Sequence, residues 1–171
     1  MSERPVLALV VSAAPPALRI DELIKQLIKD GWTVCVTATP TAATWINLEA
    51  LAKLTGYPVR VRWRLPGEPD PHPAANLVAV VPATFNVINK WALGISDTLA
   101  LGILNQALGA VDLAIYLFPN VKGSLANHPA YGPNLQKLGT AGVVVTSLSA
   151  ELDWEPVIRV INSAERRRRI G

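Results

Sequence analysis

Six short apolar runs, separated by turn residues and helix-patterned stretches, constrain this chain more than any other feature. Val6-Leu-Ala-Leu-Val-Val11 and Leu77-Val-Ala-Val-Val81 are too short for typical helices and do not alternate, as expected of strands covered on both faces. Thr33 to Thr37, Leu113 to Phe118 and Val143 to Thr146 also read as strands, while Val59-Arg-Val-Arg-Trp63 alternates as a half-exposed third strand. Between the first two runs, Ile20, Leu23, Ile24, Leu27 and Ile28 fall at helical spacing. Thr41 to Leu54, Ile88 to Trp91, Leu99 to Leu104, Pro129 to Leu138 and Trp154 to Ile161 supply further helical stretches. Repeated strand and helix alternation predicts an α/β protein with a Rossmann-like, doubly wound parallel sheet of about six strands, in three αβα layers. Residues 1–171 show no repeat and no linker, so a single domain is expected.

Chemistry concentrates between Asn76 and Leu104, where a buried strand meets a polar turn that opens a helix. Pro82 ends the strand, and Thr84 and Asn86 offer cap-type side chains ahead of Ile88-Asn89-Lys90-Trp91. Backbone N–H groups there would point into the crevice beyond the strand's carboxyl end, where open α/β sheets bind ligands. The first strand-to-helix turn, Ser12-Ala-Ala-Pro-Pro16, has no glycine, which disfavours the glycine-rich loop that cradles a dinucleotide pyrophosphate. Hydroxyls in the second turn, Thr39-Pro-Thr-Ala-Ala-Thr-Trp, suit either phosphate contacts or ordinary turn capping.

Charge and cysteine content narrow the partners. The formal charge of +3 sits largely in Arg166 to Arg169, a solvated terminal face rather than a nucleic-acid surface. A lone Cys35 excludes an intrachain disulfide and a cysteine metal cluster, and reads as buried packing. With only His72 and His128 as histidines, no metal is expected. No apolar run reaches the roughly 18 residues of a membrane span, and Met1-Ser-Glu-Arg has no signal-peptide pattern, so a cytoplasmic protein is expected.

The segment Pro82-Ala-Thr-Phe-Asn-Val87, with Ile88, Lys90, Ala92, Gly94, Ile95, Asp97 and Leu99 after it, resembles the P-A-S-A-N-T motif and following helix of the homo-oligomeric flavin-containing cysteine decarboxylases. Thr39, Thr41 and Trp45 fit a second pattern of that family, and His128-Pro-Ala and Asn134-Leu fit a third. The resemblance implies an FMN cofactor, held by Ser12, Ala13, Ala14, Thr39, Thr41, Trp45, Pro82, Ala83, Thr84, Phe85 and Asn86. It implies a homotrimer or higher homo-oligomer, for which Trp91, Leu93, Leu101 and Leu104 are candidate interface residues.

Family decarboxylases carry a histidine about fourteen residues before the motif's proline, which here is Glu68. His72, four residues on in a loop with four prolines, is the candidate catalytic base if that connection is shorter. The family's P-A-M-N clamp becomes Pro119-Asn-Val-Lys122, so Lys122 is a candidate partner for an anionic substrate. The resemblance therefore implies a flavin-dependent decarboxylase acting on a small-molecule or peptide carboxylate that bears a thiol. A non-catalytic flavin-binding accessory protein and a transferase like the prenyl-FMN synthases are the alternatives.

Overall fold

The computed structural model describes residues 4–148 and 153–170, the side chains of 168–170 excepted. Five of the apolar runs form strands: β1 (Val6–Val11), β2 (Thr33–Ala38), β3 (Leu77–Ala83), β4 (Ala114–Pro119) and β5 (Val144–Val145). All pair in parallel, in the order β2-β1-β3-β4-β5, with Leu7 opposite both Val34 and Leu77 and Leu77 opposite Ala114. Seven helices connect or flank them: α1 (Ile20–Lys29), α2 (Pro40–Ala43), α3 (Leu48–Thr55), α4 (Phe85–Ala92), α5 (Leu99–Gly109), α6 (Tyr131–Thr140) and α7 (Glu155–Ile170). Short polar side chains start four of these. Thr39, Asn47, Thr84 and Thr98 accept the N–H of Ala42, Ala50, Val87 and Leu101, each supplying a partner for an otherwise orphaned donor.

The alternating side chains of the strands feed two cores. Leu7, Leu9 and Val11 of β1 pack with α1, α3 and α7 on one face, whereas Val78 and Val80 of β3 pack with α4, α5 and α6 on the other. β1 connects outward to β2 on the first face, and β3 connects the opposite way through β4 to β5 on the second. A uniform crossover hand requires this division.

Several expectations need correction, three of them in the backbone between β2 and β4. The alternating stretch 59–63 is not a strand: only Arg60 bridges to Thr37, its N–H bonding Val36 O and its carbonyl taking the Ala38 N–H. Four prolines follow between 66 and 73, and a residue without an N–H cannot extend a ladder, which leaves five strands rather than six. The helical pattern from Thr41 to Leu54 breaks because Asn47 turns its side chain onto Ala50 N–H and leaves the helical region at ψ 95. Pro82 does not end β3, which continues to Ala83 with a register shift against β4.

Trp91, Leu101 and Leu104 are almost wholly buried in this chain's own second core, so only Leu93, at 61% exposed, remains free for an interface. The last helix outruns its predicted end because Val157, Ile161 and Ala164 keep helical spacing against the first core. The Trp32 indole donates to Asn162 Oδ1 at 2.8 Å, and Asn162 Nδ2 donates to Asp30 Oδ2 at 2.7 Å, fastening α7 to the end of α1. No helix among the described residues is long and apolar enough to cross a membrane. Met1 to Glu3 and the side chains of Arg168 and Arg169 lie outside the described residues.

Ile161 is fully buried, so Ile161→Ala is expected to cost about 2–5 kcal/mol in chemical denaturation, against within about 0.5 kcal/mol for Leu18→Ala on the exposed side. Cys35 is buried as expected, and loss of hydration pushes its thiol up to about 11. The thiolate is thus disfavoured in the folded state. Stability from this residue is intact below the ordinary thiol value of 9.0 and is lost as pH rises towards about 11. Unfolding midpoints measured from pH 8 to 11 should fall more steeply for the native chain than for Cys35→Ala.

Candidate functional site

At the carboxyl end of the sheet, β1 and β3 lie side by side while the segments that leave them pass to opposite faces. Such a switch point opens a crevice. One buried side chain closes its base: Ser12, 1% exposed, donates from Oγ to Pro82 O at 2.6 Å and accepts the Thr84 N–H at 3.0 Å. Its own N–H also reaches Pro82 O, at 3.2 Å. Ser12, Pro82 and Ala83 are therefore the framework beneath the crevice, and Thr84 is held where α4 begins.

The start of α4 supplies donors. Thr84 Oγ1 takes the Val87 N–H and Thr84 O takes the Ile88 N–H, so the N–H groups of Phe85 and Asn86 are left without intrahelical partners. The turn after β1 is poorer in donors than a helix start usually is. Ser12, Ala14 and Ala17 spend their N–H groups on Pro82, Ser12 and Ala14, and Pro15 and Pro16 have none. Anion attraction in the crevice is thus concentrated at α4, whose dipole adds to it.

Around this point lies a cleft of about 620 Å³ lined by the segments that follow β1, β2, β3 and β4. Of the residues singled out in the sequence, it gathers Ala13, Ala14, Thr39, Thr41, Thr84, Phe85, Asn86 and Lys122. The Thr39 hydroxyl caps α2 at Ala42 N–H, whereas the Thr41 side chain is exposed at the rim. Phe85 is fixed by ring contacts to His128 at 5.3 Å and Tyr131 at 6.2 Å, and Asn89 Nδ2 grips its carbonyl at 2.8 Å. Asn134 Nδ2 in turn donates to Asn89 Oδ1 at 2.6 Å, and burial pushes the Tyr131 phenol up.

Two candidates lie apart. Trp45 stands outside the cleft lining with its side chain 45% exposed. His72 lines a separate cavity, its Nε2 2.7 Å from Pro58 O, and burial lowers its pKa. Lys90, on the helix after the motif, also lines the cleft, and the structure adds Thr98, Leu101, Asn120 and Leu125. Lys90 pairs with Asp97, while Lys122 makes no ion pair among the described residues. Asn120 follows the carboxyl end of β4, so the strand-end rule alone points to it.

The Flavoprotein family profile matches residues 1–166. The coenzyme A biosynthesis bifunctional protein CoaBC of Thermococcus kodakarensis is 29% identical over 144 residues, which is 80% of this chain and 35% of that protein. The chain thus spans about a third of the length of this curated relative. Among solved structures, the FMN-dependent cysteine decarboxylase SpaF superposes with a TM-score of 0.77 at 18% identity, covering 95% of this chain and 98% of that one. The epidermin biosynthesis protein EpiD from Staphylococcus aureus gives 0.66 at 26% identity, covering 82% and 81%.

Ser12→Ala removes both side-chain bonds and leaves the Thr84 N–H without an acceptor. The substitution is expected to destabilise the fold by about 1–3 kcal/mol in urea titration, far more than Thr41→Ala at the cleft rim.

Proposed function

This chain belongs to the Flavoprotein family, and from that premise we propose that it binds FMN in the switch-point cleft and uses it to decarboxylate a thiol-bearing carboxylate. The observation that carries this reading is the convergence of four strand-end segments on one cleft whose donors sit at the start of α4. A volume of about 620 Å³ falls within the roughly 300–1,000 Å³ of cofactor sites. The lining also fits the parts of the cofactor. Phe85 and Asn86 N–H and the threonine hydroxyls suit a monophosphate and ribityl oxygens, and Leu101, Val121 and Leu125 suit an apolar ring. A turn without glycine after β1 suits one phosphate better than a pyrophosphate.

Bound FMN supplies a two-electron sink for oxidation of the thiol-bearing carbon, with loss of the carboxylate as carbon dioxide. The protein's part is to bind, orient and neutralise. Asn86, exposed on the cleft wall, is placed to bond cofactor or substrate without disturbing the core. Lys122 faces the same space with no internal counter-ion and would hold the substrate carboxylate. Lys90 is already matched by Asp97 and sets the wall rather than the charge.

We also propose a homo-oligomer, most simply a trimer, in which a neighbouring copy covers the open side of the cleft. Leu125 in the cleft lining and Leu93 at the end of α4, both exposed, would gain burial in such an assembly. His72 does not line its own chain's cleft, so a role at the flavin would require a neighbouring copy's cleft, and none is assigned to it.

Purified protein should take up FMN with micromolar affinity, and the released cofactor should have the mass of FMN. Asn86→Leu should weaken that affinity by about tenfold or more with the apo unfolding midpoint unchanged. Failure of folded protein to bind FMN would overturn the reading. With cysteine-ending peptides and phosphopantothenoylcysteine as a substrate panel, followed at the flavin absorbance band, Lys122→Met should raise KM about tenfold or more while FMN stays bound. His72→Ala should alter neither property, and light scattering should give three times the 18.3 kDa chain mass.

A further inference from the structure

Behind the start of α4 stand two half-buried asparagines, Asn89 on α4 itself and Asn134 on α6. Neither lines the cleft, yet they meet a peptide unit that does. Asn89 Nδ2 donates to Phe85 O at 2.8 Å, and Asn134 Nδ2 donates to Asn89 Oδ1 at 2.6 Å. Chemistry forces this direction. A carbonyl can only accept, so Asn89 has to turn its NH2 to Phe85 and its oxygen to Asn134, which then has to donate. On the other side of the same peptide bond is the Asn86 N–H, which the cap at Thr84 leaves without an intrahelical partner. Three amides therefore run in series from α6 to the cleft, each giving its N–H towards the next.

The helix does not call for this chain of bonds. Phe85 O serves the backbone N–H four residues on in an α-helix, and the Asn89 side chain takes its second lone pair. Asparagine is also a poorer helix former than alanine, so position 89 gains nothing from it locally. What the bonds do is tie Phe85 to α6. The Phe85 ring meets His128, just before α6, and Tyr131, its first residue, while His128 Nδ1 is fixed by the Ala130 N–H at 3.1 Å. Ring and carbonyl are thus both held from α6, and with them the direction of the Asn86 N–H. Amides aligned in this way polarise one another, so electron density drawn towards Phe85 O leaves the Asn86 N–H a stronger donor. An anion gains most from such a donor.

We propose that Asn89 and Asn134 are positioning residues for the flavin phosphate: their relay aims and strengthens the Asn86 N–H and so sets the preference for FMN over an unphosphorylated flavin. This rests on the reading that FMN occupies the switch-point cleft. Both side chains act through the peptide between Phe85 and Asn86, since neither touches the cleft.

FMN and riboflavin, which lacks the phosphate, serve as probes, titrated by flavin fluorescence into the native chain, Asn89→Ala, Asn134→Leu and the double variant. Each single substitution should weaken FMN by about threefold or more and leave riboflavin within about twofold of its native affinity. Because Asn134 works through Asn89, the double variant should bind FMN no more weakly than Asn89→Ala alone. Asn89→Ala places the better helix former in α4, so its fold is secure and it reads the relay even if Asn134→Leu does not fold. If the native chain binds no FMN, the functional reading falls and the relay with it. If the native chain binds FMN but Asn89→Ala binds it equally well, the relay alone is overturned. Equal losses for FMN and riboflavin, or effects of the two substitutions that simply add, would also overturn it, leaving the asparagines a structural clasp between α4 and α6.

Discussion

The buried hydroxyl of Ser12 holds the carboxyl end of the sheet in one piece. Two parallel strands diverge at the switch point, and Pro82 has no N–H with which to continue their ladder beyond Val10 and Val80. Ser12 substitutes for the missing pairing: its N–H and Oγ–H both meet Pro82 O, and its oxygen takes the Thr84 N–H. All three bonds lie away from water, where a polar group is strong if matched and costly if not. Thr84 is the cap of α4, so the aim of the Phe85 and Asn86 donors rests on a serine in a different strand-end turn.

Topology produces both the cleft at the switch point and the separate cavity beside His72. Because β2 lies outside β1, the connection from β2 to β3 has to cross β1 over the second face. Its helices cannot make that crossing: α3 packs with α1 on the first face, and Gly56, at φ 78, ends it in a left-handed conformation. A proline-rich coil completes the journey, pinned by Arg60, Arg64 and Asp70. Coil cannot fill space over a sheet as densely as a helix with an apolar stripe, and the cavity over Ala8, Cys35 and Thr37 is the result.

Much of this was legible from local chemistry. Valine runs without alternation identify β1 and β3 as doubly covered strands, although the same pattern at Val144 and Val145 of β5 is exposed, and Thr39, Thr84 and Thr98 announce helix starts because a hydroxyl one residue before an apolar periodicity has an evident donor to accept. The errors arose where a pattern has two physical solutions. α5 is apolar almost all round, so Leu101 and Leu104 suit a subunit interface as well as a core, and only tertiary placement chooses the core. Val59 to Trp63 alternates like a strand, yet a strand also needs a partner along its whole length, and that depends on the prolines which follow. His72 illustrates the limit for the site: distance along the chain from Pro82 says nothing of which side of β1 the loop passes.

The same balance of donors explains why the cleft favours one end for an anion. In the turn after β1, two prolines and three internally bonded N–H groups leave little for a ligand, although the serine and the strand-to-helix change look inviting in sequence. At α4 the cap consumes Val87 and Ile88 N–H but spares Phe85 and Asn86. Lys90, in the last turn of that helix, is neutralised by Asp97, so it adds little net attraction, whereas Lys122 on the segment after β4 is unmatched among the described residues. Two separated centres of positive potential in one cleft, one made of backbone dipoles and one of a side chain, suit two different anionic groups better than one polyanion. A cofactor monophosphate and a substrate carboxylate satisfy that division, since backbone N–H groups hold a permanent resident without a counter-ion's mobility and a flexible lysine can release what it binds.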